Sequence, residues 1–160
     1  MQTQLLKNTQ SDIKAAGAIL ANGGLVAIPT ETVYGLAANA LNGKAVARIF
    51  EAKGRPMDNP LIVHVASFED ISRFRLVSEI PDVAYALAKR FWPGPLTMIM
   101  KKGEAIPDEV SAGLDTVAVR FPSHPVAQEI IRAAGTPLAA PSANLSGSPS
   151  PTISTAPCSG

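Results

Sequence analysis

Cysteine is almost missing from this chain. Cys158 is the only one, so no disulfide can form within it, and a reducing, cytoplasmic setting is expected. Histidine is nearly as scarce. With His64 and His124 as the only two, a His/Cys zinc site has too few ligands. Charge of one sign is lacking too: 14 Lys and Arg face 13 Asp and Glu, a formal net charge of +1. That excludes nucleic-acid binding through bulk charge and leaves room only for a local basic patch. Residues Met1 to Gln10 are polar, without the apolar stretch of a signal peptide. No run approaches the ~20 apolar residues of a membrane span. The G-x-G-x-x-G and G-x-x-x-x-G-K-[ST] loops are absent, as is the G-x-S-x-G elbow, so neither common nucleotide loop nor a hydrolase nucleophile is signalled.

What is present is a globular composition: 160 residues, 46% apolar and 17% charged, enough for one domain. The 12 Gly and 14 Pro cluster at Asn22-Gly23-Gly24, Lys53 to Pro56, Trp92 to Pro95 and Pro141 to Pro151. Between these breaks helical and extended patterns alternate. Ile13, Ala16, Gly17 and Leu20 fall at helical spacing behind a candidate N-cap at Ser11. Gly43 to Lys53 reads as a helix ending at Gly54, Phe68 to Phe74 as a short one, and Pro81 opens another with Ala84, Leu87 and Phe91 inward. His124 to Ala134 is a fourth strong helix. Leu25–Ile28, Leu61–Val65, Leu96–Met100, Thr116–Arg120 and Leu138–Ala140 read as strands. The pattern predicts an α/β (α+β) domain, a sheet with helices packed on it. The segment from Ser146 to Gly160 has little apolar periodicity and reads as a loop or a cut end.

Several segments carry more polar chemistry than a core needs. Lys53-Gly54-Arg55-Pro56 sets a point charge and a planar fork at a helix end, a pair suited to phosphate or carboxylate oxygens. The same cations would also suit a solvated helix terminus. Pro141-Ser142-Ala143-Asn144 follows a strand directly, where α/β sheets bind ligands, and equally fits a surface turn. Pro29 to Leu36 gathers hydroxyls, a carboxylate and a phenol just past a strand. His64 on an apolar strand is either a hydrogen-bonded core residue or a ligand contact. Arg120 ends a strand and, if buried, needs an anion, from a ligand or from a structural Asp or Glu. Trp92 reads as a core plug.

Taken in order, PTETVYGL, KGRP, PLIVHV, WPGPLT, VAVRFP and PSANLSG resemble the YrdC-type threonylcarbamoyl-adenylate synthases, across roughly Ile13 to Pro151. The resemblance implies a single domain built on a twisted mixed sheet with a concave, positively charged face. It implies an enzyme that joins L-threonine, bicarbonate and ATP, with Mg2+, into threonylcarbamoyl-AMP and pyrophosphate. The carbamoyl group is destined, through downstream transfer proteins, for adenosine 37 of tRNA. By position, Thr32, His64, Arg120 and the backbone near Ala140 would hold threonine. Lys53, Arg55, Asn59, Thr116, Ser142, Asn144 and Ser150 would hold ATP, with Lys53 and Arg55 also neutralising charge in the transition state. The family continues past the S-x-N loop into a Gly-rich Ser-Thr-Val strand and an Arg-Pro-Gly ending. Here the chain finishes Thr152 to Gly160, so a shortened C-terminus is expected.

Two other readings stand beside it. A non-catalytic module could use the same concave face on tRNA or double-stranded RNA. Carbamoyl-adenylate chemistry of hydrogenase maturation uses a similar domain, within much longer chains that carry zinc-finger cysteine pairs.

Overall fold

The computed structural model describes residues 3–54 and 56–141. Helix α1 (Gln10–Ala21) starts behind Thr9, whose Oγ1 accepts from the Asp12 amide at 3.2 Å. Thr9 is therefore the N-cap, and Ser11 stands one position inside the first turn. Only the residue just outside the helix can turn its oxygen onto the orphaned amides two or three places on.

Elements then alternate: β1 (Val26–Ile28), β2 (Gly35–Asn39), α2 (Gly43–Lys53), β3 (Ile62–His64), α3 (Asp70–Arg73), α4 (Asp82–Phe91), β4 (Thr97–Lys101), α5 (Asp108–Ser111), β5 (Thr116–Arg120), α6 (Pro125–Ala134) and β6 (Leu138–Ala140). Strand β2 and helix α5 are absent from the pattern reading. The segment Gly-Leu-Ala-Ala-Asn of β2 has no β-branched or aromatic residue to mark it; it is a strand because β1 and β6 pair with it from either side. Helix α5 is a single turn of 4 residues, too short to show a period.

The sheet has six strands in the order β1-β2-β6-β3-β5-β4. Only β3 and β5 are parallel neighbours; the other four pairs are antiparallel. It is the helix-flanked α/β sheet the alternation predicts, and a mixed one, as the resemblance implies. Register sorts the side chains cleanly. Ala38, Val63, Val119, Met98 and Ala139 share one face and are buried with Val46, Ile49 and Phe50 of α2. On the opposite face, Ile28, Ala37, Leu138 and Ala140 pack under Ile13, Ala16 and Leu20 of α1 and Ile130, Ile131 and Ala134 of α6.

Those two helices cover only the β1-β2-β6 half of that face. Across β3, β5 and β4 it stays open: Ile62, Ala118 and Thr116 are half-buried and Ile99 is 71% exposed. Two expectations about burial change accordingly. The outer strand β1 leaves Ala27 exposed, and in α4 the buried residues are Ala84 and Ala88, while Phe91 lies outside. Trp92 takes the inward place next to it. Its Nε1 donates to the Leu96 carbonyl at 2.8 Å, and its ring packs between Phe68 and Phe121. No described helix is long and apolar enough to cross a membrane.

Candidate functional site

His64 and Arg120 are register partners at the ends of the parallel strands β3 and β5. Both point to the half-open face, and both are buried, at 4% and 7% exposure. The Arg120 guanidinium is held at each of its nitrogens. Nε donates to the Gly94 carbonyl at 3.2 Å, Nη1 to Thr32 Oγ1 at 3.3 Å, and Nη2 pairs with Glu31 Oε1. Burial lowers its pKa from the ordinary value, but an arginine stays charged throughout the physiological range.

His64 Nδ1 lies 3.1 Å from the Ile62 carbonyl. A carbonyl only accepts, so Nδ1 carries the hydrogen. Burial pushes this ring down to about 4, against the opposing pull of backbone hydrogen bonds at Ile62 and Leu138. His64 is thus neutral at pH 7, able to take a hydrogen bond at Nε2.

Glu31 and Thr32 reach Arg120 by an indirect route. The chain from Pro29 to Tyr34 joins β1 to β2 at the sheet end where Ile28 faces Gly35. Counted along the ladder, that is the end holding Thr116, opposite the end where Arg120 sits. The loop folds back along the open face to close the gap. Inside it, Thr30 Oγ1 donates to the Val33 carbonyl at 2.6 Å and accepts from the Thr32 amide at 3.2 Å. A hydroxyl bonded to its own neighbouring backbone is what fixes such a turn. Gly35 then re-enters the sheet; a Cβ there would sit 3.2 Å from the Ala140 Cβ.

Glu31 is the residue the pattern reading leaves out. Besides Arg120, its other oxygen Oε2 accepts from the Ser123 amide, from Ser123 Oγ at 2.6 Å and from the His124 amide at 3.2 Å. These donors stand at the start of α6, where His124 is the N-cap. A carboxylate among hydroxyls past a strand was visible in the sequence. Its partners lie about ninety residues away, which no local pattern can supply.

The sequence candidates fall into two groups. Thr32, His64 and Arg120 come together as described, and Ala140 follows on the same face, beside Ile62. Thr116 lies four residues back along β5, a separation of about 13 Å at ~3.3 Å per residue. Asn59 is exposed in the segment leading to β3. Lys53 ends α2, the helix that packs on the other face of the sheet. It is 4% exposed and is not the solvated helix terminus its position allowed. Gly54 closes the helix in the left-handed conformation, φ 62°. Arg55, Ser142, Asn144 and Ser150 lie outside the described residues. Among the described residues, no group of three His, Cys, Asp or Glu side chains is placed to hold a metal ion.

A family model named for Sua5, YciO and YrdC, and described as telomere recombination, matches residues 18–156. A threonylcarbamoyl-AMP synthase of Pyrococcus abyssi is 59% identical over 140 residues, covering 88% of this chain and 41% of that relative. The enzyme of the same name from Bacillus subtilis is 55% identical over 152 residues, 94% of this chain and 43% of the other. Among solved structures, P. abyssi Sua5 complexed with L-threonine is similar at a TM-score of 0.85 and 56% identity, covering 93% of this chain and 43% of that one. The chain spans about two fifths of the length of these relatives.

Proposed function

This chain belongs to the Sua5/YciO/YrdC family, and from that premise we propose that it makes threonylcarbamoyl-AMP and pyrophosphate from L-threonine, bicarbonate and ATP. The supporting observation is the two-part layout of one open face. A buried guanidinium, a neutral imidazole and a hydroxyl gather at one end, and Thr116 lies further along the same face of β5, about 13 Å away. A ligand with an amino acid at one end and a nucleotide at the other has that span.

In this reading Arg120 takes the threonine carboxylate. The threonine amine attacks the carbonyl carbon of bicarbonate and water leaves, giving a carbamate. His64, neutral at Nε2, accepts a hydrogen bond from the amine or the carbamate N–H, and Thr32 meets the side-chain hydroxyl. The carbamate oxygen then attacks the α-phosphorus of ATP, and the bond to pyrophosphate breaks. Nucleophile and electrophile are both anionic, so the barrier is largely electrostatic repulsion. Lys53 and Arg55 neutralise it, with Asn59, Thr116, Ser142, Asn144 and Ser150 positioning the nucleotide. Mg2+ arrives on the phosphate oxygens as part of the nucleotide substrate. No side-chain nucleophile is needed, which accords with the missing hydrolase motif; catalysis rests on positioning and charge. The product would serve tRNA modification through downstream transfer proteins in the cytoplasm.

The RNA-binding alternative gains nothing from the geometry, because Glu31 neutralises Arg120 on the face that would track phosphate. The test is mass spectrometry of a reaction with all three substrates and Mg2+, omitting each substrate in turn. A threonylcarbamoyl-AMP peak that needs all three is expected. Lys53→Met, which keeps the buried stem and removes the charge, should lower turnover by ~10²–10³. No product from folded protein would overturn the reading; an undiminished rate in Lys53→Met would remove the phosphate role of that residue.

A further inference from the structure

Arg120 has five N–H groups. Among the described residues Nε and Nη1 each donate one of them, and Nη2 faces Glu31 in the ion pair without a hydrogen bond. Nη1 and Nη2 thus both keep N–H groups, the pair of nitrogens a bidentate grip on a ligand carboxylate uses. Whether those two point usefully depends on what holds the guanidinium plane, and two of its three anchors, Thr32 and Glu31, sit on the folded-back loop.

That loop has few ties of its own to the sheet. Thr30 and Thr32 bond to each other and to the loop backbone. Glu31 is what fastens it down. Oε1 pairs with Arg120, and Oε2 takes three donors from Ser123 and His124 at the start of α6. The acceptor side favours a charge: backbone amides opening a helix carry the positive end of its dipole, and a buried arginine left unpaired is costly. One carboxylate thus ties the loop, the end of β5 and the start of α6 into a single unit.

We propose that Glu31 is the positioning residue of the amino-acid subsite, holding Arg120 and Thr32 in the orientation that receives the substrate's carboxylate and hydroxyl. The assignment rests on the reading of that subsite given above. Glu31 acts through Arg120 and Thr32 rather than touching the substrate. Its second oxygen is anchored on α6, so an incoming carboxylate finds the guanidinium already braced and does not displace Glu31 to reach it.

The whole chain, unsubstituted and as Glu31→Gln and Glu31→Ala, is titrated calorimetrically with L-threonine and separately with ATP, alongside thermal melts. Gln keeps an acceptor for the α6 amides and loses the charge that Arg120 needs. L-Threonine affinity should fall on the order of 10–100-fold in both variants, the range carried by outer residues that orient a binding group. ATP affinity should stay within about 2-fold, as for independent sites. Unchanged threonine affinity in Glu31→Gln overturns the assignment. So does tighter binding, which would make Glu31 a competitor for Arg120. Equal losses for threonine and ATP, or a Gln variant that fails to fold, reduce Glu31 to a general brace and overturn it as well. No threonine binding by the unsubstituted chain overturns the amino-acid reading itself, and the assignment falls with it.

Discussion

His64 shows how one buried ring ties stability to acidity. Its folded pKa of about 4 lies below the ordinary 6.5. Between those values the unfolded chain binds a proton that the folded chain refuses. Stability from this residue is therefore complete above pH 6.5 and is lost as the pH falls toward 4, by about 3 kcal/mol across the window. Denaturant melts from pH 7 to pH 4 should show a steeper loss in the unsubstituted chain than in His64→Gln; parallel curves would contradict the burial argument. The neutral ring also matters for binding, since an imidazolium at Nε2 could only donate. Arg120 presents the opposite case: its pKa is lowered, but it starts so high that the charge persists, and Glu31 supplies the counter-ion.

At the scale of elements, the open half of the face exists because α1 and α6 pack tightly on each other over the other half. Gly17 of α1 makes that approach possible. A Cβ there would lie 2.6 Å from the Ala133 carbonyl carbon, inside any real contact. In an isolated helix Gly→Ala gains about 1 kcal/mol, whereas forcing a methyl into a packed contact costs ~1–3 kcal/mol. Gly17→Ala should therefore lower the melting temperature despite better helix propensity. A rise would mean that the helices separate freely. The loop between β1 and β2 is the complementary device. Pro29 ends one strand, Thr30 closes a turn on Val33, and the chain is sent back along the face that the helices leave uncovered.

For the whole molecule, the order of strands decides where apolar surface remains. β4 lies at one end of the sheet, and its Ile99 is 71% exposed on the open face. Outer strands carrying exposed apolar residues invite pairing with other chains. Ile99→Lys should reduce concentration-dependent association in sedimentation while moving stability by no more than about 0.5 kcal/mol, as for surface changes generally. A large destabilisation would show that Ile99 is covered in solution.

Much of this was legible locally. Helices α1, α2 and α6 announce themselves by 3.6-residue spacing and by Gly54 and Gly135 in left-handed caps; β3, β5 and β6 do so as short apolar runs. The six motifs, read in order, identified the family, because side-chain chemistry at fixed spacing is written in the chain itself. Strand β2 was not legible, since an alanine-rich segment becomes extended only when neighbours pair with it. Nor was Thr9 as the cap, or Phe91 outside, although Trp92 was read as a core plug and is one. The partner of Arg120 was the largest gap. The sequence by itself determined that a buried arginine would need an anion. Only the tertiary structure decided that Glu31 is that anion, because bringing a hairpin loop, a strand end and a helix start to one point depends on register and layer packing, which residues distant in sequence settle together.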